Sequence, residues 1–475
     1  MIRKTDFYID GQWVTPAGAA ELEVVNPATE EPFAVISLGA AADVDSAVKA
    51  ARAAFEEYRE TDPAYRRSLI EKLLDIMVRR QDEMGDIVSR EMGAPITLAR
   101  SSQAGSGPFH VEGFLKALSD FEYEKDFNGS GERIVREPIG VCGMITPWNW
   151  PVNQMTLKVV PALAVGCTCI LKPSEISPLS AMLFAEMIDE AGFPKGTFNL
   201  INGEGPVVGE AMSRHPDIDM MSFTGSTRAG TAVTKAAADT VKRVSLELGG
   251  KSPNIVFDDV DLSETITRGV KSCFNNTGQS CNAPTRMLVQ REIYDNAVEI
   301  AAEAASRVEV GDPAREGGHI GPLVSEMQFN KVQGLIQVAI DEGARLVAGG
   351  PGRPAGMNRG YFVRPTVFAD VSNDMTIARE EVFGPVLAMI PFDKEDDAVA
   401  IANDTPYGLA AYVQTADQER ARRVARQLRA GMVMINGAQR PAGSPFGGYK
   451  QSGNGREGGT WGLEDFTEVK SISGY

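Results

Sequence analysis

The segment Phe274-Asn275-Asn276-Thr277-Gly278-Gln279-Ser280-Cys281-Asn282 carries a thiol after a glycine turn, among small and amide side chains. A loop of this kind can expose Cys281 and offer N–H donors to an oxyanion, and a partly ionised thiol is a strong nucleophile. Polar surroundings and amide dipoles favour that ionisation. Taken alone, the same residues also fit a structural cysteine in a loop.

A nucleophilic cysteine usually works with a histidine base, but the chain has only His110, His215 and His319. His215 precedes a proline in a polar connection and His319 follows two glycines, so both read as surface residues without a catalytic task. The base must then be a carboxylate. Glu247, flanked by leucines in Leu246-Glu247-Leu248-Gly249-Gly250-Lys251, closes an apolar strand, where burial raises a carboxyl pKa toward the range useful for taking a proton from water. A structural glutamate with a buried partner is the alternative.

Two further segments have the form of ligand sites. Met220-Met221-Ser222-Phe223 runs into Thr224-Gly225-Ser226-Thr227-Arg228-Ala229-Gly230 and a helix, and free amides at a helix start attract phosphate. The spacing is GxxxxG, neither the GxGxxG dinucleotide fingerprint nor a P-loop, so a simple tight turn remains open. Lys172-Pro173-Ser174-Glu175 closes the strand TCILK. A carboxylate at such a strand end can accept ribose hydroxyl bonds and repels a 2′-phosphate, favouring NAD over NADP. The alternative is a helix N-cap by Ser174 with acidic support in the first turn.

These residues need a framework, and the chain alternates accordingly. After a short strand pair at 7–9 and 12–14, residues 41–58, 64–80 and 81–91 have helical periodicity, a helical preface. From Ile139 apolar strands and helices alternate through IGVCGMI, TCILK, TFNLI, IDMMSF and VKRVSLE, the pattern of a parallel sheet covered on both faces. A second alternation follows Gly250, with strands near 254–257, 286–289, 345–348, 386–391 and 411–414. Gly249-Gly250 reads as a hinge between lobes. Residues 126–136 and the tail 467–472 read as exposed strands that pair with another subunit.

Composition narrows the function. A chain of 475 residues exceeds one ordinary core. With 47 basic and 64 acidic residues its formal charge is −17, which disfavours nucleic acid. The N-terminus lacks a signal-peptide core, and the longest apolar stretch, 159–171, is broken by Pro161 and Gly166, so a cytoplasmic protein without a membrane partner is expected. Five cysteines in no metal-ligand pairing imply reduced thiols and no metal site, with Cys142, Cys167 and Cys169 as small buried hydrophobes.

Seven blocks in order, TPWNWP (146–151), KPSE (172–175), FTGST (223–227), LELGGK (246–251), GQSC (278–281), EEVFGPV (380–386) and SPFGGYKQSGNGRE (444–457), give the chain a resemblance to the aldehyde dehydrogenase superfamily. It spans roughly residue 5 to the C-terminus, and the GxxxxG turn is the form that family uses. The resemblance implies the NAD(P)-dependent, hydrolytic branch, in which an aldehyde becomes a carboxylic acid through a thiohemiacetal and thioester on Cys281. Asn149 would hold the oxyanion, Glu247 would activate water, and Lys158 and Glu457 would assist proton relay. NAD would contact Thr146, Pro147, Trp148, Lys172, Ser174, Glu175, Gly205, Phe223, Thr224, Gly225, Ser226, Gly230, Leu248, Glu381 and Phe383. An aldehyde tunnel would be lined by Trp150, Gln154, Leu157, Ser280, Asn282, Arg440 and Phe446. Arg440 reads either as a partner for the carboxylate of a semialdehyde or as a solvated loop arginine. The implied fold is two doubly wound Rossmann-like α/β lobes, a cofactor domain (1–120 and 139–249) and a catalytic domain (250–455). A small β oligomerisation element (121–138 and 456–475) would build a homodimer or homotetramer. An esterase-like hydrolase and a silent structural relative are the competing readings.

Overall fold

The computed structural model describes residues 1–18 and 20–474. Strands Val141–Ile145, Thr168–Lys172 and Met220–Thr224 are buried at every position. That explains their unbroken apolar sequences, since a parallel strand between two helical layers has no solvent face. With Arg243–Glu247 and Phe198–Leu200 they form the parallel part of a seven-stranded sheet, which the antiparallel pair Phe7–Ile9 and Gln12–Val14 extends.

The chain order of this sheet reverses at Val141–Ile145, which lies between Thr168–Lys172 and Met220–Thr224. Ligands of such sheets sit in the crevice outside the carboxyl ends at that reversal. The register is direct: Ile145 pairs with Lys172 and with Phe223, and Thr224 pairs with Glu247. Four of the sequence blocks therefore leave the sheet in one row.

A second seven-stranded sheet contains Pro253–Val256, Arg286–Gln290, Arg345–Ala348, Thr366–Ala369, Val386–Phe392, Ala410–Gln414 and Met432–Ile435. All its pairings are parallel except that of Arg345–Ala348 with Thr366–Ala369. Gly249-Gly250 joins the two sheets but is tightly packed. A Cβ on Gly249 would lie 2.4 Å from a Glu381 carboxylate oxygen, and one on Gly250 would lie 2.5 Å from the Cys281 carbonyl.

The expected exposed strands find each other within the chain. Thr467–Ile472 pairs along its length with Arg133–Pro138, whose other edge takes Glu124–Asp126. The helical preface needs correction, because a three-stranded sheet of Ile2–Lys4, Glu21–Asn26 and Glu31–Ser37 precedes its helices. Charged residues interrupt these half-exposed strands and mask their period. Among the described residues no helix is long and apolar enough to cross a membrane.

The capping role read for Ser174 also needs correction. The helix begins at Leu179, and the Ser174 hydroxyl accepts from the Ile176 N–H, at 3.3 Å, not from a helix amide. The first free amides of the helix, those of Leu179 and Ser180, donate instead to the Glu91 carboxylate at 2.7 and 3.1 Å. Glu91 is fully enclosed, and burial pushes its carboxyl up to about 7 against the pull of the Ser180 hydroxyl and those N–H groups. A carboxyl raised in the fold costs stability as pH climbs from about 4.3 to 7, by about 4 kcal/mol in all. Glu91→Gln should lose much of that pH dependence. Urea melts at pH 5 and pH 8 check this, and an undiminished difference between the two would show that Glu91 does not cause it.

Candidate active site

Helix Leu262–Phe274 ends just before the thiol loop, and Asn276 (φ 53°), Thr277 (φ 57°) and Gly278 (φ 71°) follow in left-handed conformation. For β-branched Thr277 that backbone is strained, by roughly 1–3 kcal/mol, and persists only where neighbours enforce it. The Thr277 hydroxyl donates to the Gly321 carbonyl at 3.1 Å, and Gln279 Oε1 accepts from the Val324 N–H at 3.0 Å. Gly278 is required here, since a Cβ would lie 2.1 Å from the Gly384 carbonyl oxygen. The turn brings Cys281 partly into the open, whereas Cys142, Cys167, Cys169 and Cys273 are buried.

The residues around Cys281 are held from three sides. Asn149 Nδ2 donates to the Gln279 carbonyl at 3.0 Å, Trp150 Nε1 to Ser280 Oγ at 2.8 Å, and the Tyr412 hydroxyl to the Asn282 carbonyl at 2.9 Å. Cys281, Tyr412 and Phe446 pack on one small apolar cluster. The local amides do favour the thiolate, but they are outweighed. Burial first, then Glu381 and Glu247, push the thiol far above its ordinary range, and the N–H groups of Asn282 and Cys281 only partly oppose them. Enclosure and the two carboxylates, which come from other blocks, act on the thiol only in the folded chain.

Glu247 is 2 % exposed, and neither carboxylate oxygen has a hydrogen-bond partner. Burial and the nearby Glu457 push its carboxyl well up, with Lys158 opposing. The last sequence block wraps it closely. Gly453 pairs with Glu247 across the sheet edge, and Gly447 (φ 153°) has room only for hydrogen because a Cβ would sit 2.7 Å from Glu247 Oε1. Lys158 and Glu457 form a buried ion pair at 2.6 Å, with Lys158 also donating to Ser222 at 3.2 Å. Glu457 pairs through its backbone with Phe446, which packs on the same small apolar cluster as Cys281.

On the sheet's carboxyl edge, Thr146, Pro147 and Trp148 face Phe223, Thr224, Gly225 and Ser226 across the strand reversal. Lys172 Nζ lies 3.3 Å from Glu175, whose side chain is one-third exposed. Gly205 opens an exposed π-helical turn, Gly205–Gly209, whose last residue approaches Lys172 and Ile145. Ser226 caps helix Thr227–Ala237 by accepting from Ala229 N–H, and Gly230 packs against Leu248. The Thr224 hydroxyl is buried without a partner. Trp148 meets Phe383 edge to face at 5.3 Å, and Glu381 accepts from Gly250 N–H at 2.9 Å. A helix N-terminus, an unpaired hydroxyl and a reachable carboxylate fit a dinucleotide.

The tunnel residues divide. Trp150, Ser280, Asn282 and Phe446 surround the thiol, and buried Gln154 leaves Oε1 without a partner while its Nε2 donates to Asn153 at 3.3 Å. Leu157 is buried in the main core. Arg440 is not a solvated loop arginine: it is half-buried, lies 5.3 Å over the Phe446 ring and donates to the carbonyls of Ser444 and Pro445 at 2.8 and 2.6 Å. His319, read as a surface residue, is buried and its ring bonds the Asp312 carbonyl at 2.9 Å. The sequence reading missed His110, Gln103 and Tyr412. His110 Nε2 lies 2.8 Å from Asn153 Nδ2, and burial, then Arg440, push the ring down to about 4. It is therefore neutral at ordinary pH.

Comparisons with known proteins agree with this layout. The model of the aldehyde dehydrogenase family matches residues 13–472. A 3-succinoylsemialdehyde-pyridine dehydrogenase of a Pseudomonas species is 52% identical, covering 99% of this chain and 98% of the relative. The crystal structure of an aldehyde dehydrogenase from Bartonella henselae superposes with a TM-score of 0.99 at 53% identity, over 100% of both chains. A cysteine-to-alanine variant of aldehyde dehydrogenase C from Pseudomonas syringae, complexed with NAD+ and octanal, superposes at 0.97 with 51% identity, over 98% of this chain and 96% of the other. With the thiol loop, the enclosed glutamate and the strand-reversal crevice in one place, the chain belongs to the aldehyde dehydrogenase family and is an aldehyde-oxidising enzyme.

Proposed function

We propose that the protein oxidises an aldehyde to the carboxylic acid with NAD, using Cys281 as nucleophile and Glu247 as the base for hydrolysis. The observation that carries this reading is a partly exposed thiol that feels the charge of an enclosed, unpartnered carboxylate. Cys281 Sγ attacks the aldehyde carbon, and the thiol proton passes to solvent water as the sulfur–carbon bond forms. The oxyanion is held by Asn149 Nδ2 and the Cys281 N–H, donors worth about 10²–10³ in rate each. NAD, when bound, accepts the hydride from the thiohemiacetal carbon. Glu247 then takes a proton from water, which attacks the thioester and restores the thiol. Lys158 and Glu457 pass that proton onward.

Lys172, Ser174 and Glu175 would hold the adenosine ribose. Ser226 and Trp148 would contact the pyrophosphate, Glu381 the nicotinamide ribose, and Phe383 the ring. The first seven-stranded sheet then forms the cofactor domain (1–120 and 139–249) and the second the catalytic domain (250–455). The small sheet, with its unpaired edge at Thr467–Ile472, serves a homodimer or homotetramer. Five unpaired cysteines support a cytoplasmic setting.

The substrate is a small aldehyde that meets polar groups in the tunnel. Arg440 uses one amino nitrogen to fix the 440–446 loop and leaves the rest of its guanidinium for a semialdehyde carboxylate. The test follows NADH formation from hexanal, benzaldehyde and succinic semialdehyde, with NAD and with NADP. Activity with NAD is expected, and Glu175→Ser should narrow the preference over NADP by about tenfold, since one lost charge repulsion is worth about 1.4 kcal/mol. No coenzyme-dependent oxidation of any aldehyde would refute the reading. An unchanged coenzyme ratio would remove Glu175 from it.

A further inference from the structure

Between the thiol loop and the strand-reversal crevice lies a buried cluster of amides. Gln103, on the π-helical turn Ala99–Ala104, is 0% exposed. Its Nε2 donates to the Asn149 carbonyl at 2.9 Å and to Asn276 Oδ1 at 3.1 Å. Asn276 Nδ2 in turn donates to the same Asn149 carbonyl at 3.0 Å and to the Gln279 carbonyl at 3.2 Å. Asn149 Nδ2 closes the ring by donating to that Gln279 carbonyl at 3.0 Å.

Gln103 is thus the member from outside both motifs that touches the Asn149 strand-end loop and the strained turn before Cys281. Its own Oε1 is buried with no partner. An unpaired buried acceptor costs about 1–3 kcal/mol, which a residue present only for packing would avoid as leucine or methionine. π-Helical turns, too, concentrate at functional sites.

We infer that Gln103 is a positioning residue for the reaction: its amide N–H groups tie the Asn149 backbone to the Asn276 side chain and so hold the oxyanion donor in register with Cys281. Without that tie the left-handed turn at Asn276 and Thr277 can relax, carrying Cys281 away from Asn149 while the coenzyme crevice stays intact. The inference rests on the roles proposed above for Cys281 and Asn149.

Gln103→Met keeps the volume and removes both donors. A misplacement near 1 Å typically costs about 10²-fold, so kcat should fall by about 10- to 100-fold, while the KM for NAD stays within about twofold. The rate at which iodoacetamide alkylates Cys281 should also change. A purely structural role would instead lower the melting temperature and leave kcat of the folded enzyme untouched, and that result overturns the inference. Gln103→Leu, of similar size and without the donors, gives the same readout if the methionine variant does not fold. Cys281→Ala and Asn149→Ala run alongside. If they keep activity, the reading of the site fails. If they are inactive while Gln103→Met keeps full kcat, only the Gln103 inference fails.

Discussion

Cys281→Ala is expected to abolish aldehyde-dependent NADH formation, with kcat/KM falling by at least about 10⁴-fold, the scale seen when a covalent nucleophile is removed. The size of the effect follows from geometry. The other four cysteines are buried, two of them on strands of the first sheet and one in helix Leu262–Phe274, so none can replace it. All three histidines lie outside the immediate contacts of the thiol loop described above. NAD binding, followed by quenching of tryptophan fluorescence, should survive the substitution because the crevice lies on another sheet. Loss of both together would point to unfolding, and circular dichroism separates the cases. A soluble, folded variant that still makes NADH would remove the nucleophile from the account.

Glu247→Gln should uncouple the two halves of the reaction. Acylation needs Cys281 and Asn149, so about one equivalent of NADH per active site should appear in a burst. Hydrolysis then stalls, because general-base catalysis contributes typically 10²–10⁴-fold. The pH dependence has a definite sign. Burial and Glu457 hold Glu247 protonated to higher pH than an ordinary carboxyl, and only its ionised form can take a proton from water. Turnover limited by hydrolysis should therefore rise with pH through neutrality, and this dependence should disappear from the slow phase of the glutamine variant. Acylation should rise as well, because burial first, then Glu381 and Glu247, raise the Cys281 thiol. Stopped-flow traces separate these two limbs. Undiminished steady turnover in Glu247→Gln would assign the base elsewhere.

Much of this arrangement was readable from the chain because its causes are local. A strand buried on both faces must be apolar throughout, which is why TCILK and MMSF stand out and why the blocks following them fall in one row. Glu247 between two leucines is anomalous unless buried for a purpose. What stayed hidden depends on contacts between distant residues. Glu91 caps a helix 88 positions away and Gln103 reaches Asn276 across 173, and nothing in the neighbouring sequence marks either partner. The thiol's raised pKa has the same origin, since its burial and the charges of Glu381 and Glu247 arise only in the fold. Arg440 looked solvated because its partners are backbone carbonyls, which no side-chain pattern reveals. The sheet formed by Glu21–Asn26 and its neighbours was masked by glutamates on its exposed face.

The covalent intermediate itself gives the sharpest test. Glu247→Gln, mixed with NAD and hexanal and quenched in acid within the burst, should show by intact-mass spectrometry one added hexanoyl group, and peptide mapping should place it on Cys281. An NADH burst with no acyl adduct, or an adduct on any other residue, would contradict the central claim.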